Sequence, residues 1–164
     1  MADELFQACL YDRGIEILTI FLGTINRSWD KVTRAAAYLA FGTGYTFLFE
    51  YEKAASFLHK ALAITDDPEN KVTVLCQMGS MSMFSCNYDD ALAALNQALE
   101  IISAESGERR EKSKSCSKLT ALAHTNIGDV LSEQGNRDLE ALESYGRAIV
   151  IMKEDGVSSK VVPK

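Results

Sequence analysis

The sequence predicts an all-α protein made of stacked antiparallel helix hairpins, and three observations carry that prediction. First, one pattern occurs three times. Tyr38-x2-Phe41-Gly42-x2-Tyr45 leads to Ala54-x3-Leu58-x2-Ala61. Leu75-x2-Met78-Gly79-x2-Ser82 leads to Ala91-x3-Leu95-x2-Ala98. His124-x2-Ile127-Gly128-x2-Leu131 leads to Ala141-x3-Tyr145-x2-Ala148. Second, glycine and alanine stand 12 residues apart in the first two copies and 13 in the third. Internal repetition at hairpin length is the mark of a repeat architecture, whose units bury their faces only by stacking. Third, the chain has only two prolines, Pro68 and Pro163, so long helices run without a breaker.

Residues 2–10 and 12–25 read as two short helices. Tyr11-Asp12-Arg13-Gly14 with Leu18 and Phe21 copies the later Tyr88-Asp89-Asp90-Ala91 with Leu95 and Ala98, so residues 2–26 form a degenerate hairpin. Ser28 or Asp30 caps the next helix, and Trp29 at that junction is a packing anchor. Helices are expected at about 31–48, 51–64, 69–86, 88–105, 116–134 and 138–154. They form repeats of about 31–67, 69–105 and 116–154 in a single domain over 1–155, followed by a frayed tail at 156–164. Thr65-Asp66-Asp67-Pro68 separates the first two repeats, with proline suited to open a helix. Asn87 and Gly135-Asn136 mark turns. The glycines recur after 37 and then 49 residues, and the extra length falls in Ser103–Lys118. That segment is polar and dense in both charges. It reads as a solvated loop with helical extensions, or as a regulated loop around Ser113 and Ser115.

The 164 residues suffice for one real core, and 47% hydrophobic residues exclude a disordered chain. A net charge of −6, from 17 basic and 23 acidic residues, speaks against general nucleic-acid binding and against a polybasic membrane surface. The apolar stretch Ile15–Leu22 contains Glu16 and is too short to span a bilayer. With no basic signal-like start, a cytoplasmic chain is expected. Cys9, Cys76, Cys86 and Cys116 form no CxxC. Cys76 and Cys86 on one helix would stand roughly 15 Å apart, beyond disulfide reach. Reduced thiols are expected, Cys116 being the exposed and reactive one.

No catalytic constellation emerges. Gly42-x-Gly44 lacks the third glycine and the basic residue of a phosphate loop. His59 and His124 belong to different helices, and His124 occupies a packing slot. Asp66-Asp67 and Asp89-Asp90 favour helix starts rather than a metal. The expectation is a non-enzyme with no cofactor and no metal.

These residues resemble the tetratricopeptide repeat, whose pattern is a large residue, Leu-Gly, Tyr, then Ala, Phe or Tyr, Ala. The resemblance covers about residues 35–151. The third copy, with Asn126 before Ile127-Gly128 and Lys153-Glu154 before Gly156, is also similar to repeats of polarity and motor-adaptor scaffolds such as LGN/Pins and kinesin light chain. The first two copies carry Ala40 and Gln77 where that Asn stands. The resemblance implies a right-handed superhelix, an α-solenoid, with a concave groove lined by the first helix of each repeat. Its groove positions fall on Leu39, Thr43 and Thr46, on Thr73, Cys76, Ser80 and Met83, and on Leu122, Thr125, Asp129 and Ser132. Gln77 and Asn126 occupy a neighbouring position suited to peptide-backbone recognition, because an amide both donates and accepts. The basic clamp of chaperone-adaptor relatives is missing, so binding to Hsp70 or Hsp90 tails is not expected.

The function expected is a protein-interaction scaffold or adaptor that holds a partner peptide or helix in a neutral, partly apolar groove, unless the superhelix is tight and these residues simply pack inside. Two alternatives stand beside it. One is a homo-oligomer that pairs through uncapped apolar ends, around Ile15–Leu22 and around Leu142, Ile149 and Met152. The other is a small acidic secretion-type chaperone.

Overall fold

The computed structural model describes residues 13–17, 19–20, 30–108 and 114–158, with side chains placed except at 105–108, 114 and 155–158. Seven helices occur among the described residues. They are α1 (helical over 13–17 and 19–20), α2 (Lys31–Phe47), α3 (Tyr51–Ile64), α4 (Pro68–Phe84), α5 (Tyr88–Glu108), α6 (Lys114–Glu133) and α7 (Asp138–Ser158). Sequential antiparallel hairpins pair α2 with α3, α4 with α5 and α6 with α7. The expected residues 2–10, the anchor Trp29, the cap Ser28, Cys9, Ser113 and the tail beyond 158 lie outside the described residues. No described helix is long and apolar enough to cross a membrane.

Short polar side chains begin the helices. The Asp30 carboxylate accepts from the Thr33 N–H at 2.7 Å, which holds it below its ordinary pKa. Asp67 accepts from Asn70 N–H at 2.9 Å, and Pro68 fills the first helical position, where its missing N–H costs nothing. Three helices run beyond the bounds that the sequence pattern suggests. α5 continues to Glu108 and α6 already begins at Lys114, so the described parts of the charged insertion, 103–108 and 114–118, are helix. Glu105, Glu108, Lys114 and Lys118 there are good helix formers, and they look loop-like only because they lack an apolar stripe. α7 likewise runs through Gly156 to Ser158.

The chain divides into two compact units, Met1–Asp66 and Asp67–Lys164. The first has an aromatic core. The Phe41 and Phe57 rings stack with centroids 4.8 Å apart, and Tyr45 stacks on Phe57 at 5.6 Å. Lys60 lies over the outer part of this cluster, 4.8 Å from the Phe57 centroid, a cation–π contact. Ile15 of α1 is buried against Gly44, where a Cβ would stand 3.1 Å from its side chain. Lys31 pairs with Asp66, tying the start of α2 to the residue that ends the unit.

The second unit has an aliphatic core. Val72, Leu75, Leu95, Ala98, Ala121, Ala123 and Val130 are almost fully buried. Here α6 packs on both helices of the preceding hairpin, α4 and α5. Among the described residues α7 packs on α6 alone.

The repeated glycines have a definite partner. A Cβ on Gly42 would lie 2.6 Å from Leu58 Cδ2, one on Gly79 2.7 Å from Leu95 Cγ, and one on Gly128 2.5 Å from Tyr145 Cε1. Leu58, Leu95 and Tyr145 therefore close their own hairpins. These large residues thus meet the glycine of their own hairpin. The alanines four residues earlier, Ala54, Ala91 and Ala141, are buried beside these contacts, where a larger side chain would hold the helices apart.

The turns are also alike. Phe49 (φ 60°), Cys86 (φ 61°) and Gly135 (φ 73°) each stand seven residues after a repeat glycine and adopt left-handed backbone. The Glu50 N–H donates to Tyr45 O at 2.9 Å and the Asn87 N–H to Ser82 O at 2.8 Å, the six-to-one bond of a Schellman ending. Cys86 thus lies in the turn, two residues beyond α4, rather than on one helix with Cys76.

Candidate functional site

In the second unit the predicted groove residues come from the two helices that face each other as first helices of their hairpins, α4 and α6. At positions i, i+4 and i+7, Thr73, Gln77 and Ser80 share one face of α4. On α6 the same spacing unites Leu122, Asn126 and Asp129, with Thr125 beside them. All are half-buried except Leu122, which is exposed; Met83 at the end of α4 is half-buried too, and Ser132 exposed. The Asn126 side-chain amide bridges the helices, 3.4 Å from Ser80 Oγ and 3.5 Å from Cys76 O. These are long contacts, at the weak end of hydrogen bonding.

The hydroxyls on this face are turned inward for their protons. Thr73 donates to Glu69 O at 3.0 Å, Ser80 to Cys76 O at 3.2 Å and Thr125 to Ala121 O at 2.9 Å. What they offer outward is acceptor oxygen and methyl groups. Asp129 is the one ionisable side chain among these residues, and its Oδ1 accepts from the Tyr145 hydroxyl at 2.7 Å. Burial and that contact with the carboxylate push the Tyr145 hydroxyl up to about 12. The face is therefore close to neutral, half-exposed and mixed in polarity.

Two of the sequence-derived positions present no side chain to solvent. Cys76 is 1% exposed and Thr46 4% exposed. Burial pushes the Cys76 thiol up to about 11, while the Thr46 hydroxyl donates to Gly42 O at 2.8 Å. Leu39, Thr43 and Thr46 belong to α2 in the first unit. Leu39 and Thr43 are half-buried, and Thr43 donates to Leu39 O at 3.0 Å.

The thiols differ from expectation. Cys116 is half-buried, at the edge of a small apolar recess with Pro68, Val72, Ile101, Ile102 and Leu119. Among the described cysteines the exposed one is Cys86. It borders an open polar cleft of about 360 Å³ with Asn87, Tyr88, Asp89, Asp90 and Gln134. A hydrogen bond with Cys86, helped by burial, raises the Tyr88 hydroxyl. This cleft was missed because it joins the turn residues Cys86, Asn87 and Gln134 to the first turn of α5; aligning all three copies on their glycines places Cys86 with Gly135 and would have revealed the turn. His124 is half-buried as expected, and burial, with the Arg147 charge, lowers its pKa. Among the described residues no group of His, Cys, Asp and Glu is placed to hold a metal ion.

Comparison with protein-family models and with curated proteins finds no match for the chain. What stands, then, is a chain whose described residues are all-helical, with seven helices, six of them packed as three sequential hairpins.

Proposed function

We propose that this chain is a non-enzymatic protein-interaction module of the tetratricopeptide-repeat kind, and that the α4–α6 face holds a short uncharged segment of a partner protein. The observation that carries this reading is the neutral, half-exposed face made by Thr73, Gln77, Ser80, Leu122, Thr125 and Asn126. Side-chain amides beside acceptor hydroxyls suit the backbone of an extended peptide, and Leu122 and Met83 suit an apolar side chain of it. The repeat reading is supported by the glycine contact recurring in three hairpins and by α6 packing on both α4 and α5.

The test is a random-peptide display against the full chain, followed by affinity measurements on the selected peptides. Selected peptides should be uncharged in their shared core. Met83→Lys or Thr125→Lys should weaken them at least about tenfold, roughly 1.4 kcal/mol, with the circular dichroism unchanged. Undiminished binding by both variants would sink the proposal.

A further inference from the structure

Among the described residues no helix packs on the outer face of α7. With 100° between successive residues, Ile149, Leu142, Lys153, Gly146, Leu139 and Val150 fall in that order across an arc of about 100°. Buried Ala141 and Ala148 lie on the other side, the side that meets α6. Leu139 is 83% exposed, Leu142 65%, Val150 55% and Ile149 48%.

The repeat itself shows what such a face takes. Leu142 and Ile149 stand one and eight residues after Ala141, as Leu92 and Leu99 stand after Ala91. On α5, against which α6 packs, Leu92 and Leu99 are half-buried. On α7 the matching leucine and isoleucine are exposed instead. Gly146 is a second, independent observation. It sits in mid-helix, where glycine is less stable than alanine, and a Cβ there would meet nothing within 4 Å. Nothing among the described residues uses the missing side chain, yet it falls near the centre of the arc.

The charges then select the partner. Asp138, in the first turn of α7, borders the arc, while Lys153 lies within it at the opposite end; Glu140 lies off the arc and pairs with Arg137. Two such helices side by side and parallel would set like charge against like. Antiparallel, each Lys153 reaches Asp138 of the other, and the two Gly146 residues meet at the crossing. We propose that α7 pairs with α7 of a second copy, antiparallel about a two-fold axis at Gly146. The contact is isologous, the same patch on both copies, and goes beyond the peptide-binding reading because it uses neither α4 nor the groove face of α6.

Sedimentation of the full chain over the micromolar range tests this. Wild type should sediment as a dimer. Leu142→Glu combined with Ile149→Glu should give a single chain with unchanged helical circular dichroism. Gly146→Leu should raise the dimer Kd at least about tenfold without lowering the melting temperature of the dilute protein. Asp138→Lys should weaken the dimer, and adding Lys153→Asp should restore it. Ile17→Glu with Ile20→Glu, on the other exposed apolar helix, should leave it intact. A wild-type chain that stays single at every concentration overturns the proposal. So does a dimer that survives Leu142→Glu with Ile149→Glu.

Discussion

The Tyr145 hydroxyl of α7 donates to Asp129 Oδ1 of α6 at 2.7 Å while its ring covers Gly128. One side chain thus closes the third hairpin twice, through the ring that needs a glycine beneath it and through the hydroxyl that meets a carboxylate. Tyr145→Phe keeps the first contact and removes the second. It should cost about 1 kcal/mol at neutral pH, the usual net worth of a hydrogen bond, measurable by urea unfolding.

The same pair sets a pH dependence. The Tyr145 hydroxyl is raised from an ordinary value of 10.0 to about 12 in the folded chain. A raised acid favours the folded state while it is protonated. Its contribution is therefore complete below about pH 10 and lost as pH climbs toward 12. Melting temperatures taken across that window should fall more steeply in wild type than in Tyr145→Phe. Parallel curves would show that the hydroxyl is not engaged.

Gly79→Ala should destabilise the second hairpin by about 1–3 kcal/mol, the usual cost of overpacking, against the small gain in helix propensity. The new Cβ would stand 2.7 Å from Leu95 Cγ, and Leu95 is wholly buried with no room to retreat. Leu95→Ala alone should also destabilise by leaving a cavity, about 2–5 kcal/mol. The double variant should be less damaged than the two costs added, because each change relieves the other. Strict additivity in denaturant melts would deny the contact.

Much of the fold was legible because glycine cannot be hidden. Gly42, Gly79 and Gly128 mark where a helix must be thin, and their recurrence gave hairpin number and order. Their partners were less legible. The alanine spacing drew attention to Ala54, Ala91 and Ala141, whereas the atoms in closest contact belong to Leu58, Leu95 and Tyr145 one helical turn on. The turns were harder still. Phe49 and Cys86 carry no chemical sign of a left-handed backbone; only Gly135 does. Of the candidate face, the α4 and α6 positions could be read from spacing. The burial of Cys76 and Thr46 could not, since spacing assigns a direction on one helix and says nothing of what stands opposite.

Cys86→Gly follows from those turns. A non-glycine residue at φ 61° carries a steric penalty of about 1–2 kcal/mol that glycine avoids. Glycine's greater freedom in the unfolded chain offsets part of it. A net stabilisation of up to about 1 kcal/mol is expected, and Cys86→Val, with its branched Cβ, should destabilise. Denaturation midpoints decide.

Thiol labelling of the native chain offers an independent reading of the same turn. Cys86 is exposed, Cys116 half-buried and Cys76 buried with its thiol pushed up to about 11. Peptide mapping after brief alkylation at neutral pH should find Cys86 modified first, Cys116 later and Cys76 last. Early modification of Cys76 would mean that the α4 packing opens on the timescale of labelling.

The glycine contacts bear on how the chain assembles. Gly42 meets Leu58, Gly79 meets Leu95 and Gly128 meets Tyr145 across only 16 or 17 residues of sequence. Each hairpin therefore closes through a short loop, before any distant segment must be found, and short-range closure of this kind makes for rapid folding. It also makes each hairpin a natural unit of opening. Amide exchange should thus release protons hairpin by hairpin, with helix partners such as α4 and α5 losing protection together.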